Sequence, residues 1–210
     1  MLHLGVMAQH PNAHSLPSST LLNLPNLLTV LRVLMIPLVW VLLYGQTPRM
    51  CFWAGMVYTL AVITDALDGW LARRQGLISV FGKFLDPLAD KLIVMAILVG
   101  LVDLARTPAW LVVVIIAREL AISALRSIAV GQGMVISAGR GGKDKTALQM
   151  LGLLLLILHY PYTLYFGFFT IHVDLHQAGL VLLYISVIFA VFSAIEYTRA
   201  FMAYRPSHID

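Results

Sequence analysis

Four aspartates stand in the stretch DALDGWLARRQGLISVFGKFLDPLAD, from Asp65 to Asp90, of a 210-residue chain that has only ten Asp and Glu in all. They form two pairs, Asp65/Asp68 at i,i+3 and Asp86/Asp90 at i,i+4, and each spacing puts both carboxylates on one face of a helix. Between the pairs, LARRQGLISVFGK carries two glycines, two arginines and a lysine, which predicts a polar turn from the end of one apolar helix to the start of the next. The four carboxylates can then meet at one level. Unpaired anions at a membrane edge repel one another and resist desolvation, so something cationic must sit among them. Hard oxygen donors at this spacing suit divalent magnesium or manganese. Two such ions about 3.5–4 Å apart can clamp the attacking and leaving oxygens of a phosphoryl displacement. The competing reading is a set of solvated helix-end aspartates paired with Arg73, Arg74, Lys83 and Lys91. Against it, Asp65 lies about 12 Å of helix rise inside the basic boundary at Arg73.

The elements that hold these residues are apolar. The chain is 60% hydrophobic and 11% charged, with a mean hydropathy of +0.88, which leaves too little polar surface for a soluble domain. The fold class expected is an all-α integral membrane protein, with six transmembrane helices and a short N-terminal juxtamembrane segment. The apolar runs cover residues 27–44, 50–71, 84–104, 108–130, 146–169 and 178–201, each about long enough for a hydrocarbon core of about 30 Å. Residues 1–26 read as a leader and interfacial segment, 27–203 as the membrane domain and 204–210 as a polar tail. His3, His10 and His14 of the leader are incidental. The single cysteine, Cys51, excludes an internal disulfide and a cysteine-based metal site.

Polar residues inside the runs mark where a cavity should be. Asn26, Thr29 and Arg32, spaced by three, line one side of the first run, where Arg32 either snorkels or faces a cavity; Pro37 predicts a kink. The fourth run holds Arg118, Glu119, Ser123 and Arg126, and Arg118 lies as far inside Arg126 as Asp65 lies inside Arg73, which predicts one shared polar cavity. The glycine-rich GQGMVISAGRGGKDKT reads as a loop carrying Arg140, Lys143 and Lys145. His172, Asp174 and His176 alternate in a pattern that suits a metal or simply a polar loop. Lys and Arg crowd the ends near Arg73, Arg126, Lys143 and Arg199, with only Arg49 and Arg106 opposite, so the former side should be cytoplasmic, with both termini and the aspartates.

The residues Asp65, Asp68, Gly69, Ala72, Arg73, then eight residues, then Gly82, Asp86 and Asp90 match D-x-x-D-G-x-x-A-R-x8-G-x-x-x-D-x-x-x-D without departure. In this the chain resembles the CDP-alcohol phosphotransferase family. Its NLPNLLTVLRVLMIP from Asn23, IIARELAISALR from Ile115 and GGKDKTALQM from Gly141 are similar to the bacterial branch that makes phosphatidylglycerophosphate. The resemblance implies an enzyme that moves the phosphatidyl group of CDP-diacylglycerol to glycerol 3-phosphate and releases CMP, in the bacterial cytoplasmic membrane, as a homodimer among membrane lipids, with two Mg2+ or Mn2+ and no nucleic acid partner. It implies that Asp65, Asp68, Asp86 and Asp90 hold the metals, with Asp90 also the general base. Asp68, Gly69, Ala72, Arg73 and Gly82 would receive the CDP-lipid: the small residues allow close approach and Arg73 grips phosphate oxygens.

Glycerol 3-phosphate needs a cationic cradle of its own, for which Arg118, Arg126, Lys143 and Lys145 are the candidates. Asn26, Thr29, Arg32 and Lys83 are secondary candidates. No serine, cysteine or histidine stands with a base partner for covalent catalysis, which favours direct displacement. Siblings using inositol phosphate, serine or phosphatidylglycerol are the nearest rivals. A cation transporter is the reading outside enzymes, though it would place its aspartates near the midplane.

Overall fold

The computed structural model describes residues 24–75, 80–132, 141–165, 167–168 and 170–203. Six helices, α1 (Leu24–Tyr44), α2 (Pro48–Gln75), α3 (Val80–Asp103), α4 (Ala109–Gly131), α5 (Gly141–Leu158) and α6 (Leu175–Ala203), follow one another, with a two-stranded hairpin, β1 (Pro161–Tyr165) and β2 (Thr170–Asp174), between the last two. Each apolar run of the sequence holds one helix, the fifth only in its first part. The reason is that a helix satisfies all its backbone groups within one segment, which lipid demands.

Three boundaries differ from expectation. The polar turn between the aspartate pairs is shorter, because Leu71–Gln75 continues α2 and Val80–Lys83 already belongs to α3; Leu, Ala, Arg and Gln are strong helix formers and carry the helix past the apolar run. Gly69, Ala72 and Arg73 therefore sit on α2, and Gly82 and Lys83 on α3. The glycine-rich loop also ends sooner, with Lys143 and Lys145 on the first turns of α5 rather than in the loop. Finally, the fifth run does not reach Phe169. Helix α5 stops at Leu158, His159 turns the chain at φ 62°, and Pro161 removes the N–H that would have continued the ladder. Tyr, Thr, Ile and Val then favour strand, and β1 pairs antiparallel with β2 from Pro161↔Asp174 to Tyr165↔Thr170. Among the described residues the fold is thus helical with one small sheet.

Local signals set the other ends. Thr47 accepts the Met50 N–H at 3.2 Å through its hydroxyl, with Pro48 in the first helical position of α2. Asp174 accepts the Gln177 N–H at 3.1 Å and so caps α6.

Among the described residues, α1 packs on α2 and α3, α5 on α6 and α2, and α4 chiefly on α6. The apolar core gathers at the end where α1, α3 and α5 finish: Val39, Leu43, Ala54, Tyr58, Ile97, Leu101, Leu111, Leu156 and Leu183 are all buried there. Its outside is also apolar. Val41 is 71% exposed and Phe192 64%, with Leu34, Trp53, Val113 and Ile188 likewise open. Helix α6, 29 residues long with a mean hydropathy of 2.5 in its apolar window, is long and apolar enough to cross a bilayer. Apolar flanks on this scale belong to a membrane protein. Exposed Trp53 and Trp110 open α2 and α4 at the core end, where aromatic rings suit a lipid interface.

Candidate active site

The signature occupies the end of the bundle opposite the core. Asp65 and Asp68 lie in the second half of α2, and Asp86 and Asp90 in the first half of α3. Consecutive helices joined at that end bring both pairs to the same end of the molecule. The side chains from Asp65 to Asp90, and those of Gly141 to Lys145, Asn26 and Thr29, lie outside the described residues, so carboxylate convergence is not among the contacts described.

Two cross-helix hydrogen bonds fix relative heights. Lys91 donates through Nζ to Ser123 Oγ at 2.5 Å, tying α3 to the antiparallel α4. Counting from that tie at 1.5 Å per residue, Asp90 is about 1.5 Å and Asp86 about 7.5 Å further toward the signature end, and Arg126 at about 4.5 Å falls between them. Tyr58 donates to the Met150 carbonyl at 3.3 Å, tying α2 to α5. Asp65 lies about 10.5 Å on from Tyr58 and Lys143 about 10.5 Å back from Met150, so these two are level as well. By this count the backbone positions of Arg126, Lys143 and Lys145 fall within about one helical turn of an aspartate position.

Arg118 stands apart. It lies about 7.5 Å from the Ser123 level in the opposite direction, toward the core. Its side chain is 11% exposed and its Nη1 meets Glu119 Oε2 at 2.5 Å. Its Nε donates to the Ala190 carbonyl of α6 at 3.2 Å. It lines a pocket between α4, α5 and α6 with Glu119, Gln149, Ile115, Val187 and Val191. Arg126, by contrast, is exposed. The two arginines thus stand about 12 Å apart along α4. Arg32 is 1% exposed, so it faces inward and does not snorkel.

The alternation of His172, Asp174 and His176 breaks up in the fold. His172 pairs with Thr163 across the hairpin at 3.0 Å, Asp174 caps α6, and His176 Nδ1 meets His159 Nδ1 at 3.2 Å. Among the described residues no group of three His, Cys, Asp or Glu is placed to hold a metal.

Sequence reasoning gave Gln149 no role and Lys91 only that of a counter-ion to solvated aspartates. The signal for Lys91 was present, since a lysine directly after Asp90 inside an apolar run needs a partner. Arg106 was read only as a loop charge, yet it is 3% exposed. Its Nη1 donates to the carbonyls of Ile157 at 3.1 Å and Leu156 at 3.4 Å, and its Nη2 reaches Cys51 Sγ at 3.4 Å. Those carbonyls close α5, where Pro161 has no N–H to offer Ile157.

The family model described as CDP-alcohol phosphatidyltransferase matches residues 22–198. The chain is 39% identical over 149 residues to the CDP-diacylglycerol–glycerol-3-phosphate 3-phosphatidyltransferase of Bacillus subtilis, covering 65% of this chain and 77% of that one. It is 35% identical over 201 residues to a probable phosphatidylglycerophosphate synthase of Mycobacterium tuberculosis, covering 92% and 88%. A CMP-forming cardiolipin synthase of Oryza sativa is 36% identical over 197 residues, covering 87% and 58%. With its full eight-position signature on α2 and α3 and a family match over most of its length, the chain belongs to the CDP-alcohol phosphatidyltransferase family.

Proposed function

We propose that this protein transfers the phosphatidyl group of CDP-diacylglycerol to glycerol 3-phosphate, forming phosphatidylglycerophosphate and CMP. The observation that carries this reading is the unbroken signature at one end of the bundle, with cation positions of α4 and α5 within about one helical turn of its aspartate positions. Relatives named for that reaction support it. We read all six helices as spans of a bacterial cytoplasmic membrane, within a membrane domain of residues 27–203 that acts as a homodimer with its site facing the cytoplasm. Residues 1–26 form the leader and 204–210 the tail.

The family in general uses divalent cations. Four aspartates are a donor set of hard oxygens, which fits Mg2+ or Mn2+ and no softer ion. Asp65, Asp68, Asp86 and Asp90 would hold two such ions, which when bound supply positive charge to the diphosphate as it is displaced. Gly69 and Ala72 leave the α2 surface low where the nucleotide approaches, and Gly82 does the same at the start of α3. Arg73 holds phosphate oxygens. Asp90 takes the proton of the acceptor hydroxyl as its oxygen bonds to the lipid-side phosphorus and the bond from that phosphorus to CMP breaks. Arg126, Lys143 and Lys145 hold the acceptor phosphate. Arg118, nearer the core, steadies the inner end of that cradle; Asn26, Thr29, Arg32 and Lys83 complete its polar wall.

The test is release of CMP by purified protein with CDP-diacylglycerol and a panel of acceptors. Glycerol 3-phosphate should support turnover, EDTA should abolish it, and Asp86→Asn should cost at least about a hundredfold. Near-normal activity of Asp86→Asn would sink the aspartate assignment. The similarity to a cardiolipin synthase favours one rival acceptor, phosphatidylglycerol. Cardiolipin as product, with none from glycerol 3-phosphate, would establish that rival. Phosphatidylserine or phosphatidylinositol phosphate as the sole product would equally overturn the acceptor.

A further inference from the structure

Lys91 follows Asp90 on α3, so whatever fixes Lys91 fixes the height and rotation of Asp90. Among the described residues α3 packs mainly on α1 and α4 mainly on α6, with little between α3 and α4. Among those residues, packing does little to locate the two helices against each other. A polar seam joins them instead. Lys91 donates to Ser123 Oγ at 2.5 Å, and Ser123 in turn donates to the Glu119 carbonyl at 2.7 Å. Glu119 binds Arg118, and Arg118 reaches the Ala190 carbonyl of α6. The seam crosses α3, α4 and α6 through groups half-buried or better, where such hydrogen bonds are stronger than in water. The Lys91–Ser123 bond is charge-assisted and is the polar tie described between the aspartate helix and the helix of Arg118 and Arg126.

We infer that Lys91 is a positioning residue: bonded to Ser123, it holds α3 at the height on α4 where the acceptor's hydroxyl, gripped from α4 and α5, meets Asp90. This rests on the proposed reaction. Its role differs from a phosphate ligand's, because the ammonium is directed at α4 rather than at substrate. Losing it should leave both substrates bound and spoil their alignment.

In steady-state CMP release, Lys91→Met and Ser123→Ala should each lower kcat, by up to about a hundredfold, the penalty expected of a misplacement of about 1 Å. The KM for each substrate should stay within about threefold. The double variant should be no slower than Lys91→Met, since one tie is lost either way. Lys91→Arg, a donor of similar reach, should recover most of kcat. A raised KM for glycerol 3-phosphate at unchanged kcat, or losses that multiply in the double variant, would overturn the inference. An activity-independent arm places Lys91→Cys and Ser123→Cys in a Cys51→Ser background. A short bis-methanethiosulfonate reagent should join them in membranes, each cysteine displacing one sulfinate, and failure to join would overturn the pairing. If wild-type protein released no CMP with any acceptor, the proposed reaction would fall while the cross-link still reported on the pairing.

Discussion

Removing the Arg106 guanidinium should destabilise the bundle without touching its chemistry. In Arg106→Leu the carbonyl of Ile157 loses a donor at 3.1 Å and that of Leu156 a weaker one at 3.4 Å. No helical N–H can replace them, because Pro161 has none and the Tyr160 N–H is already turned to the Leu158 carbonyl at 2.7 Å. A charge-assisted hydrogen bond contributes about 1.5–3 kcal/mol, and an orphaned buried acceptor costs about 1–3 kcal/mol. The bond at 3.4 Å counts for little, so the loss should be about 2–4 kcal/mol. At about 2–4 °C per kcal/mol for a chain of this length, Tm should fall by about 5–15 °C. Cys51, fully buried and the single cysteine, reports the unfolding directly through a thiol-reactive dye in detergent. Arg106→Lys, which keeps one charged donor, should fall between. An Arg106→Leu protein with wild-type Tm and an unchanged Cys51 labelling rate would refute the assignment of Arg106 as the clamp on α5.

Gly152 and Gly179 mark the close approach of α5 and α6. A Cβ on Gly179 would lie 3.0 Å from both the Gly152 carbonyl oxygen and the Leu156 nitrogen, against 3.2 Å for the tightest contacts of one on Gly152; Gly179→Ala should therefore lower Tm more than Gly152→Ala, as a thermal melt of the pair would show. At the hairpin, burial first, and then Arg106 and His176, hold His159 below its ordinary 6.5 while Asp174 pulls the other way. The fold thus favours neutral His159, and its contribution is whole above pH about 6.5 and lost as pH falls through the lowered value. Tm should drop on acidification below that point and drop less in His159→Asn, where the amide tolerates the positive φ; parallel curves for the two would exclude the effect. For orientation, Cys51→Ser proteins with a cysteine at His172 should react with an impermeant reagent added outside intact cells, and those with one at Ser127 should not.

The helices were legible in the sequence because an apolar run of about 20 residues has few alternatives in lipid. The hairpin was not, since YPYTLYFGFFT is as apolar as a span and only His159 and Pro161 turn it aside. The signature was legible as a spacing, and its helices stand where the spacing put them. What could not be read was pairing between helices. Nothing in the periodicity of α4 says that Ser123 faces Lys91, or that Arg118 turns to α6 while Arg126 stays exposed. The second role of Arg106 was hidden for a related reason: a lone arginine in a short loop counts as topogenic, and its hold on α5 shows only when the end of that helix is seen beside it.

The two ends of the bundle differ in how their polar groups are used. At the core end, Tyr44 donates to Asp103, Trp40 to the Ala96 carbonyl, Tyr160 to the Gln46 carbonyl and Arg106 to α5. Each of these bonds closes on another part of the scaffold. Toward the signature end, Arg126 is exposed, the Lys91–Glu119 seam spans helices with little packing among the described residues, and the four aspartate positions share one end. Polar groups that close on each other add rigidity, most where they are buried as at Arg106, whereas concentrated like charge costs stability unless a ligand offsets it. Stability should then reside at the core end and turnover at the other. Arg106→Leu and Gly179→Ala should lower Tm while kcat, measured well below the melt, stays near wild type. Arg126→Ala should leave Tm unchanged and raise the KM for glycerol 3-phosphate. A divalent cation that relieves the carboxylates should also raise the Tm of wild type more than that of Asp86→Asn. Equal shifts in the two proteins would mean that the carboxylates are not where the charge is neutralised.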